Sequence, residues 1–279
     1  MISSRRRIVA SSNRYGLIAG NGRFPFLVLE AARSQGIDMV VAAIKEETFP
    51  EIEQHATTVH WMSLGQLGKL IKTFKSEGVN RAIMAGQVKH KQIFSSIVPD
   101  FKMIQLLASL ATKNTDSLIG GVARLLENEG IQLMDSTSFL RPLLPEPGVL
   151  TRRKPSESEK ADLDYGYRIA RELGRLDLGQ SVFVSDGACI ALEAMEGTDA
   201  VMERAASLAG GRMLRVVKLA KPNQDLRFDV PVIGLATVRR MALLKVSALA
   251  IEARKTLMID REDLIREADE AEITIMAVE

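Results

Sequence analysis

The stretch that most restricts the fold is Tyr15-Gly-Leu-Ile-Ala-Gly20, an apolar run that ends in glycine and hands over to Asn21-Gly-Arg-Phe-Pro25. The run predicts a short buried strand, and the apolar spacing from Phe26 to Gln35 predicts a helix closed by Gly36. Pro25 suits the first helical turn, where its missing N–H costs nothing. In a strand–turn–helix of this kind, backbone N–H groups and the helix dipole converge on the turn. Gly20, Asn21, Gly22 and Arg23 therefore form a candidate phosphate cradle. Three readings stay open: a dinucleotide site, a site for another phosphate-bearing nucleotide, and a purely structural turn. Pro25 stands where a dinucleotide fingerprint has its third glycine, and Lys45 rather than an acid follows the second strand, Ile37 to Ile44. Both departures disfavour NAD(P) and a nucleotide-dependent oxidoreductase. Arg23 favours an anionic ligand.

The alternation continues with a strand at Thr57–Trp61, a helix at Leu64–Lys75 ended by Gly78, and a strand at Asn80–Ala85. Gly86 and Gln87 follow at that strand's carboxyl end, where ligands bind in open parallel sheets. Lys89 and His90 come next, either as ligand contacts or as an ordinary polar loop. Helices are expected at Pro99–Thr112 and Asp116–Glu129, with Asp100 and Asp116 as caps, and a short strand at Ile131–Met134. Phe101, Ile104, Leu106, Leu107 and Leu110 imply more than one buried face for the first of these helices. Prolines at 142, 145, 147 and 155 then break the pattern. The division expected is a Rossmann-like parallel α/β domain at 1–134, a Pro-rich linker at 135–158, and a mixed α/β domain at 159–279.

In the second half a helix is expected at Ser158–Leu173. Two β-rich runs, Ser181–Ser185 and Ala188–Ala194, flank Asp186-Gly187, a strong hairpin signal. Thr198 is expected to cap a helix at Asp199–Leu208, with Asp199 at its positive end. Glu193 and Glu196 precede it. Later elements are a helix at Thr237–Leu244, strands at Val246–Ile251 and Thr256–Ile259, a helix at Arg261–Glu270, and a strand at Ile273–Val278. Hairpin and crossover signals both occur, so mixed pairing is expected.

Between Lys218 and Gly234 lies a proline-stiffened loop carrying Lys221, Gln224, Asp225, Arg227 and Asp229, with Pro222 and Pro231. Its two carboxylates are hard oxygen ligands of the kind Mg²⁺ accepts, and its two cations suit phosphate oxygens. The bland alternative is a surface loop of mutually screening charges. A net charge of +2 supplies no field to recruit nucleic acid, and 5% aromatic residues leave little for base stacking. With 3 histidines (His55, His60, His90), no Zn²⁺ cluster is legible. The lone Cys189 sits in an apolar run, which predicts an inert thiol and excludes an intrachain disulfide. No apolar window is long enough to span a membrane. Arg5, Arg6 and Arg7 form a short basic arm, and a cytoplasmic location is expected.

Five segments together resemble one enzyme family: Ala19-Gly-Asn-Gly-Arg-Phe-Pro25, Ala85-Gly-Gln-Val88, Leu178-Gly-Gln180, Glu193-Ala-Met-Glu-Gly-Thr-Asp-Ala200 and Ala220-Lys-Pro-Asn-Gln-Asp-Leu-Arg-Phe-Asp-Val-Pro231. It is the two-domain UDP-2,3-diacylglucosamine pyrophosphatase of lipid A synthesis. The resemblance runs from about Tyr15 to the C-terminus. It implies a Mg²⁺-dependent hydrolase, with Mn²⁺ as a substitute, that cuts UDP-2,3-diacylglucosamine into UMP and 2,3-diacylglucosamine 1-phosphate (lipid X). It further implies a nucleotide-binding first domain, a lipid-binding second domain, a cleft between them and peripheral contact with the inner membrane. Asp225 is carried over as the catalytic acidic residue. Chemistry adds Gln224, Lys221 and Arg227 beside it, Asp229 and Asp199 as further metal ligands, and Thr198, Glu193 and Gln180 toward substrate. The nucleotide side falls to Gly20, Asn21, Gly22, Arg23, Gly86 and Gln87. A non-catalytic nucleotide-sugar binding or sensing protein is the competing reading. The sequence leaves the oligomeric state open, a homodimer included.

Overall fold

The computed structural model describes residues 14–88, 98–110, 115–222 and 224–279, with the backbone alone at 115–116. The chain divides into two compact units, 1–139 and 140–279. Arg5, Arg6, Arg7, Lys89 and His90 lie outside the described residues, as does the side chain of Asp116.

The first unit runs β1 (Arg14–Ala19), α1 (Phe24–Ser34), β2 (Met39–Ile44), β3 (Thr58–Met62), α2 (Leu67–Ser76), β4 (Val79–Ala85), α3 (Phe101–Ser109), α4 (Thr115–Asn128) and β5 (Gln132–Leu133). These five strands pair parallel to one another, in the order β3-β2-β1-β4-β5. Every residue of β2 is buried, as a central parallel strand covered on both faces requires. Gly36 ends the first helix region at φ 72°, a left-handed value that glycine reaches without strain. Asp100 caps α3 by accepting a hydrogen bond from the Met103 N–H at 3.0 Å. That helix is less enclosed than its composition implies. Met103 and Leu106 are buried, whereas Phe101 and Ile104 are exposed.

The second unit runs β6 (Gly148–Val149), α5 (Glu157–Arg175), β7 (Ser181–Ser185), β8 (Ala188–Leu192), α6 (Thr198–Ala209), β9 (Leu214–Lys218), β10 (Val232–Ile233), α7 (Leu235–Leu243), β11 (Val246–Glu252), β12 (Leu257–Met258), α8 (Arg261–Glu270) and β13 (Thr274–Val278). Six strands form one mixed sheet in the order β6-β13-β11-β9-β7-β8. β9, β11 and β13 are parallel, and β7 runs antiparallel to both β9 and β8. Strand alternation splits the core. Phe183, Val216, Leu249 and Ile251 pack with Met202, Met241 and Leu264 on one face. Val182, Val184, Val217 and Ala250 pack with Leu163, Ala170 and Leu173 of α5 on the other. Asp186 and Gly187 both take positive φ, 51° and 75°, the turn that a two-residue hairpin favours. The Asp162 carboxylate secures it by accepting hydrogen bonds from both N–H groups.

Residues 135–158 carry structure of their own. Residues 135–139 belong to the first unit, while 140–158 belong to the second and include β6, which pairs with β13. Helix α5 starts at Glu157, one residue before the expected Ser158, because Ser156 and Glu159 form a reciprocal capping box. Buried Glu159 also accepts two hydrogen bonds from Arg153 (2.8 and 2.9 Å) and one from the Ser247 hydroxyl (2.6 Å). Burial alone pushes its carboxyl pKa up, but the bonds from Arg153, Ser247 and Ser156 outweigh this and hold it at about 2 against 4.5. A depressed carboxyl pKa stabilises the fold above the unfolded value and loses that contribution as pH falls toward 2. Glu159→Ala is expected to destabilise the second unit by roughly 3 kcal/mol, because Arg153 loses its buried partner. Its urea midpoint should also be less sensitive to pH between 4.5 and about 2 than wild type.

Candidate functional site

In the first unit the strand order reverses between β1 and β4, and open α/β sheets bind ligands outside such a switch point. The segments leaving these two strands are the glycine-bearing ones. Asn21 and Gln87 form an isolated bridge: Asn21 N–H donates to the Gln87 carbonyl (2.8 Å) and Gln87 N–H to the Asn21 carbonyl (3.1 Å). Gly20 N–H donates to the Ala85 carbonyl at 2.8 Å. The chains approach so closely that a Cβ on Gly86 would stand 2.6 Å from the Asn21 oxygen, and one on Gly20 would stand 2.8 Å from the Gln87 oxygen. Gly22 has open space around it and is held to glycine by its φ of 91° alone. Gly20, Asn21, Gly22, Gly86 and Gln87 thus come together, with Arg23 exposed at the start of α1, where its side chain makes no cap hydrogen bond.

In the second unit the carboxyl ends of β8, β9 and β11 lie at one edge of the sheet. Ser181 pairs with Lys218 across β7 and β9, and the Glu193 N–H donates to the Ser181 carbonyl. A Cβ on Gly179 would fall 2.2 Å from the Glu193 oxygen, so only glycine lets segment 177–180 pass this close. The next residue, Gln180, accepts a hydrogen bond at its carbonyl from Leu219 N–H. Thr198 does not cap α6. Gly197, at φ 84°, takes the cap position, and Thr198 is the first helical residue. Its hydroxyl instead accepts from the Lys218 ammonium (2.8 Å) and donates to Glu193 Oε1 (3.1 Å). Lys218 keeps some accessible surface, yet desolvation lowers its pKa against the attraction of Glu193, Asp199 and Asp229. Asp199 sits in the first turn of α6, near Arg240 at 3.7 Å. Glu196 pairs with Arg204, which lowers its pKa, and so belongs to the stem of α6.

The loop leaving β9 is anchored at its root by buried Glu252, whose Oε2 accepts from the Ala220 N–H at 2.9 Å. Lys221 pairs with Asp177 at 2.6 Å, and the Gln224 side-chain oxygen accepts from the Lys221 N–H. Residues 225–229 form a single turn in which the Asp225 carbonyl accepts from the Phe228 and Asp229 N–H groups. The Arg227 guanidinium grips both Asp225 oxygens, with Nη2 to Oδ2 at 2.7 Å and Nε to Oδ1 at 2.9 Å. This hydrogen bonding holds the Asp225 pKa below the usual carboxylate value. Cys189 is half-buried, and burial pushes its thiol pKa up, as an inert thiol requires.

Among the described residues no group of three or more His, Cys, Asp or Glu side chains is placed to hold a metal. Asp225, Asp229 and Asp199 therefore do not form a ready-made ligand set, and Asp225 is already engaged by Arg227. Sequence reasoning also missed Lys218 and Glu252. The only signal for each was a charge ending an apolar strand.

The fold and these two clusters define a two-domain α/β protein with a glycine-lined switch point in one unit and an acid–base loop in the other. The LpxI N-terminal domain matches residues 14–143 and the LpxI C-terminal domain matches 146–276, so the chain belongs to the LpxI family. A relative from Caulobacter vibrioides, the UDP-2,3-diacylglucosamine pyrophosphatase LpxI, is 32% identical over 276 residues, covering 95% of this chain and 98% of its own. Two solved structures show distant likeness. Phosphoribosylglycinamide synthetase from Anaerococcus prevotii is 14% identical with a TM-score of 0.27, over 62% of this chain and 31% of that one. The ADP complex of N5-carboxyaminoimidazole ribonucleotide synthetase is 14% identical with a TM-score of 0.27, over 74% and 46%. Neither carries an argument about function.

Proposed function

We propose that the protein hydrolyses the pyrophosphate bond of UDP-2,3-diacylglucosamine to UMP and 2,3-diacylglucosamine 1-phosphate in lipid A synthesis. The observation that carries this reading is the chain-long match to a relative of that activity, with Asp225 in the matching loop. The first unit holds the nucleotide at the Gly20–Arg23 turn and Gly86–Gln87. The second unit holds the sugar phosphate near Gln180, Glu193 and Thr198. Mg²⁺, or Mn²⁺ in its place, neutralises the diphosphate when bound. Mg²⁺ is commonly held by one or two carboxylates together with substrate phosphates, which suits a protein whose described residues hold no group of three such ligands. Lys221 and Arg227 supply the positive charge that phosphate oxygens need. Incubation with UDP-2,3-diacylglucosamine and Mg²⁺ should release UMP. Retention of the nucleotide sugar without UMP would establish a non-catalytic binding protein instead.

Arg227 gives a pH test of this reading. If Asp225 works as a carboxylate, activity is lost as pH falls through its pKa. Arg227→Gln removes the main influence lowering that pKa, so the acid limb of kcat/KM should move to higher pH. An unmoved limb would detach Asp225 ionisation from turnover.

Among the described residues no helix is long and apolar enough to cross a membrane. We place the protein at the cytoplasmic face of the inner membrane, in reversible contact. Leu178, Leu192 and Met195, at 54%, 39% and 94% exposure, flank the Gly179–Glu193 contact and support this placement. Replacing Leu178 and Met195 together by Glu should cut sedimentation with anionic vesicles several-fold while leaving UMP binding unchanged. Equal sedimentation of both proteins would refute the contact.

A further inference from the structure

Glu193 directly follows β8, with one carboxylate oxygen accounted for and the other left over. The side chain is buried, at 9% exposure, and its backbone is held by Ser181 and by the close passage of Gly179. An ammonium can only donate, so Lys218 Nζ donates to Thr198 Oγ1. The Ser181 hydroxyl also lies 3.3 Å from Thr198 Oγ1. The single proton of Thr198 is thereby directed to Glu193 Oε1, at 3.1 Å. Glu193 Oε2 is buried and has no hydrogen-bond partner among the described residues. A buried carboxylate oxygen without a donor is costly, and natural folds keep such groups where a ligand or a reacting group completes them. What completes this one must be a hydrogen-bond donor or a cation.

Resting on the pyrophosphatase reading, we propose that Glu193 is the general base of the reaction, with Thr198 and Lys218 as the residues that orient it. A carboxylate held by one oxygen through an oriented hydroxyl, with the second oxygen left to accept a proton, is a base-plus-orienter arrangement. Oε2 takes one proton from water as the water oxygen forms a bond to one phosphorus of the diphosphate. The bond from that phosphorus to the bridging oxygen breaks, and its electron pair stays on the departing phosphate. The proton on Glu193 then passes to solvent or to that phosphate. Water and diphosphate are thus fully accounted for as two phosphomonoesters and a proton. Lys218 enters from the end of β9, so the base stands beside the strand whose continuation carries Asp225.

The test compares wild type with Glu193→Gln, which keeps the shape and cannot accept the proton. The substrate is UDP-2,3-diacylglucosamine, and Mn²⁺ binding is followed separately. Expected is a fall in kcat on the order of 100-fold or more, with KM and Mn²⁺ affinity within about threefold of wild type. A kcat within about fivefold of wild type would overturn the assignment. A large kcat loss accompanied by tenfold weaker Mn²⁺ binding would also overturn it and make Glu193 a metal ligand, and a loss carried by KM would make it a binding residue. Removing one charge can leave Lys218 without its counter-charge. If the single variant does not fold, Glu193→Gln with Lys218→Met removes both, and the same kcat loss is expected. Thr198→Val, which keeps both charges, should lower kcat about tenfold with KM unchanged. Unaltered kcat in that variant would remove the orienting role. If wild type releases no UMP, the pyrophosphatase reading itself fails and this proposal with it. If wild type turns over and Glu193→Gln does as well, only the base assignment fails.

Discussion

Asp225→Ala is expected to fold normally and to lose on the order of 100-fold or more in kcat. The fold survives because the turn at 225–229 closes through the Asp225 carbonyl, which any residue supplies. The side-chain pair with Arg227 is partly exposed on both partners, so its loss costs about 1 kcal/mol at most. On the pyrophosphatase reading the function suffers because the variant removes one of the loop's two carboxylates, Asp225 and Asp229, that can hold a cation or orient water, and releases Arg227 from its partner. Asp225→Asn separates two contributions. It keeps an oxygen for the Arg227 N–H, now 3.1 Å from Oδ1, and removes the negative charge. Turnover near that of Asp225→Ala would assign the effect to charge, and turnover near wild type would assign it to loop geometry. Near-wild-type activity in both variants would remove Asp225 from the mechanism. EDTA should abolish the activity, and Mg²⁺ or Mn²⁺ should restore it.

Gly86→Val is expected to weaken UMP binding by on the order of 100-fold while leaving lipid X binding nearly unchanged. Its Cβ would stand 2.6 Å from the Asn21 oxygen and 2.8 Å from the Gly20 carbonyl carbon, and its φ of 94° is unfavourable for any side chain. Backbone atoms cannot step aside as a flexible side chain can, so the Asn21–Gln87 bridge must open and the turn must lose its shape. Gly22→Val is the informative companion. Gly22 belongs to the same candidate cradle, but its Cβ would meet nothing within 4 Å. Only the strain of φ 91° remains there, on the order of 1–3 kcal/mol. A loss at Gly22 as large as that at Gly86 would place a phosphate directly over Gly22. Calorimetric titration with UMP and with lipid X measures both ligands. Equal loss of both in the Gly86 variant would signify misfolding.

Local signals in the chain were enough for much of the secondary structure. Helix α8 occupies Arg261–Glu270, the range that its periodicity predicts, and Asp186-Gly187 makes the expected hairpin. The strand, turn and helix from Arg14 to Ser34 likewise follow from short-range pattern, as does the division into two α/β halves. Such features depend on residues a few positions apart, where propensity and spacing act directly. Thr198 shows where this stops. A threonine before a helix reads as a cap, and the residue instead begins the helix and turns its hydroxyl to Lys218 and Glu193, 20 and 5 positions away.

The sequence by itself therefore determined the fold class, the family resemblance and the identity of the loop that carries Asp225. The tertiary structure alone decided which charges share an environment. It paired Asp225 with Arg227, set Lys221 against Asp177, tied Glu252 to the root of the loop, and left one Glu193 oxygen buried with no donor among the described residues. The strand order β6-β13-β11-β9-β7-β8 brings the ends of β8 and β9 to one edge through pairings that no local pattern encodes. Hydrogen bonds and desolvation act over a few ångströms in space, and distance along the chain does not report distance in space.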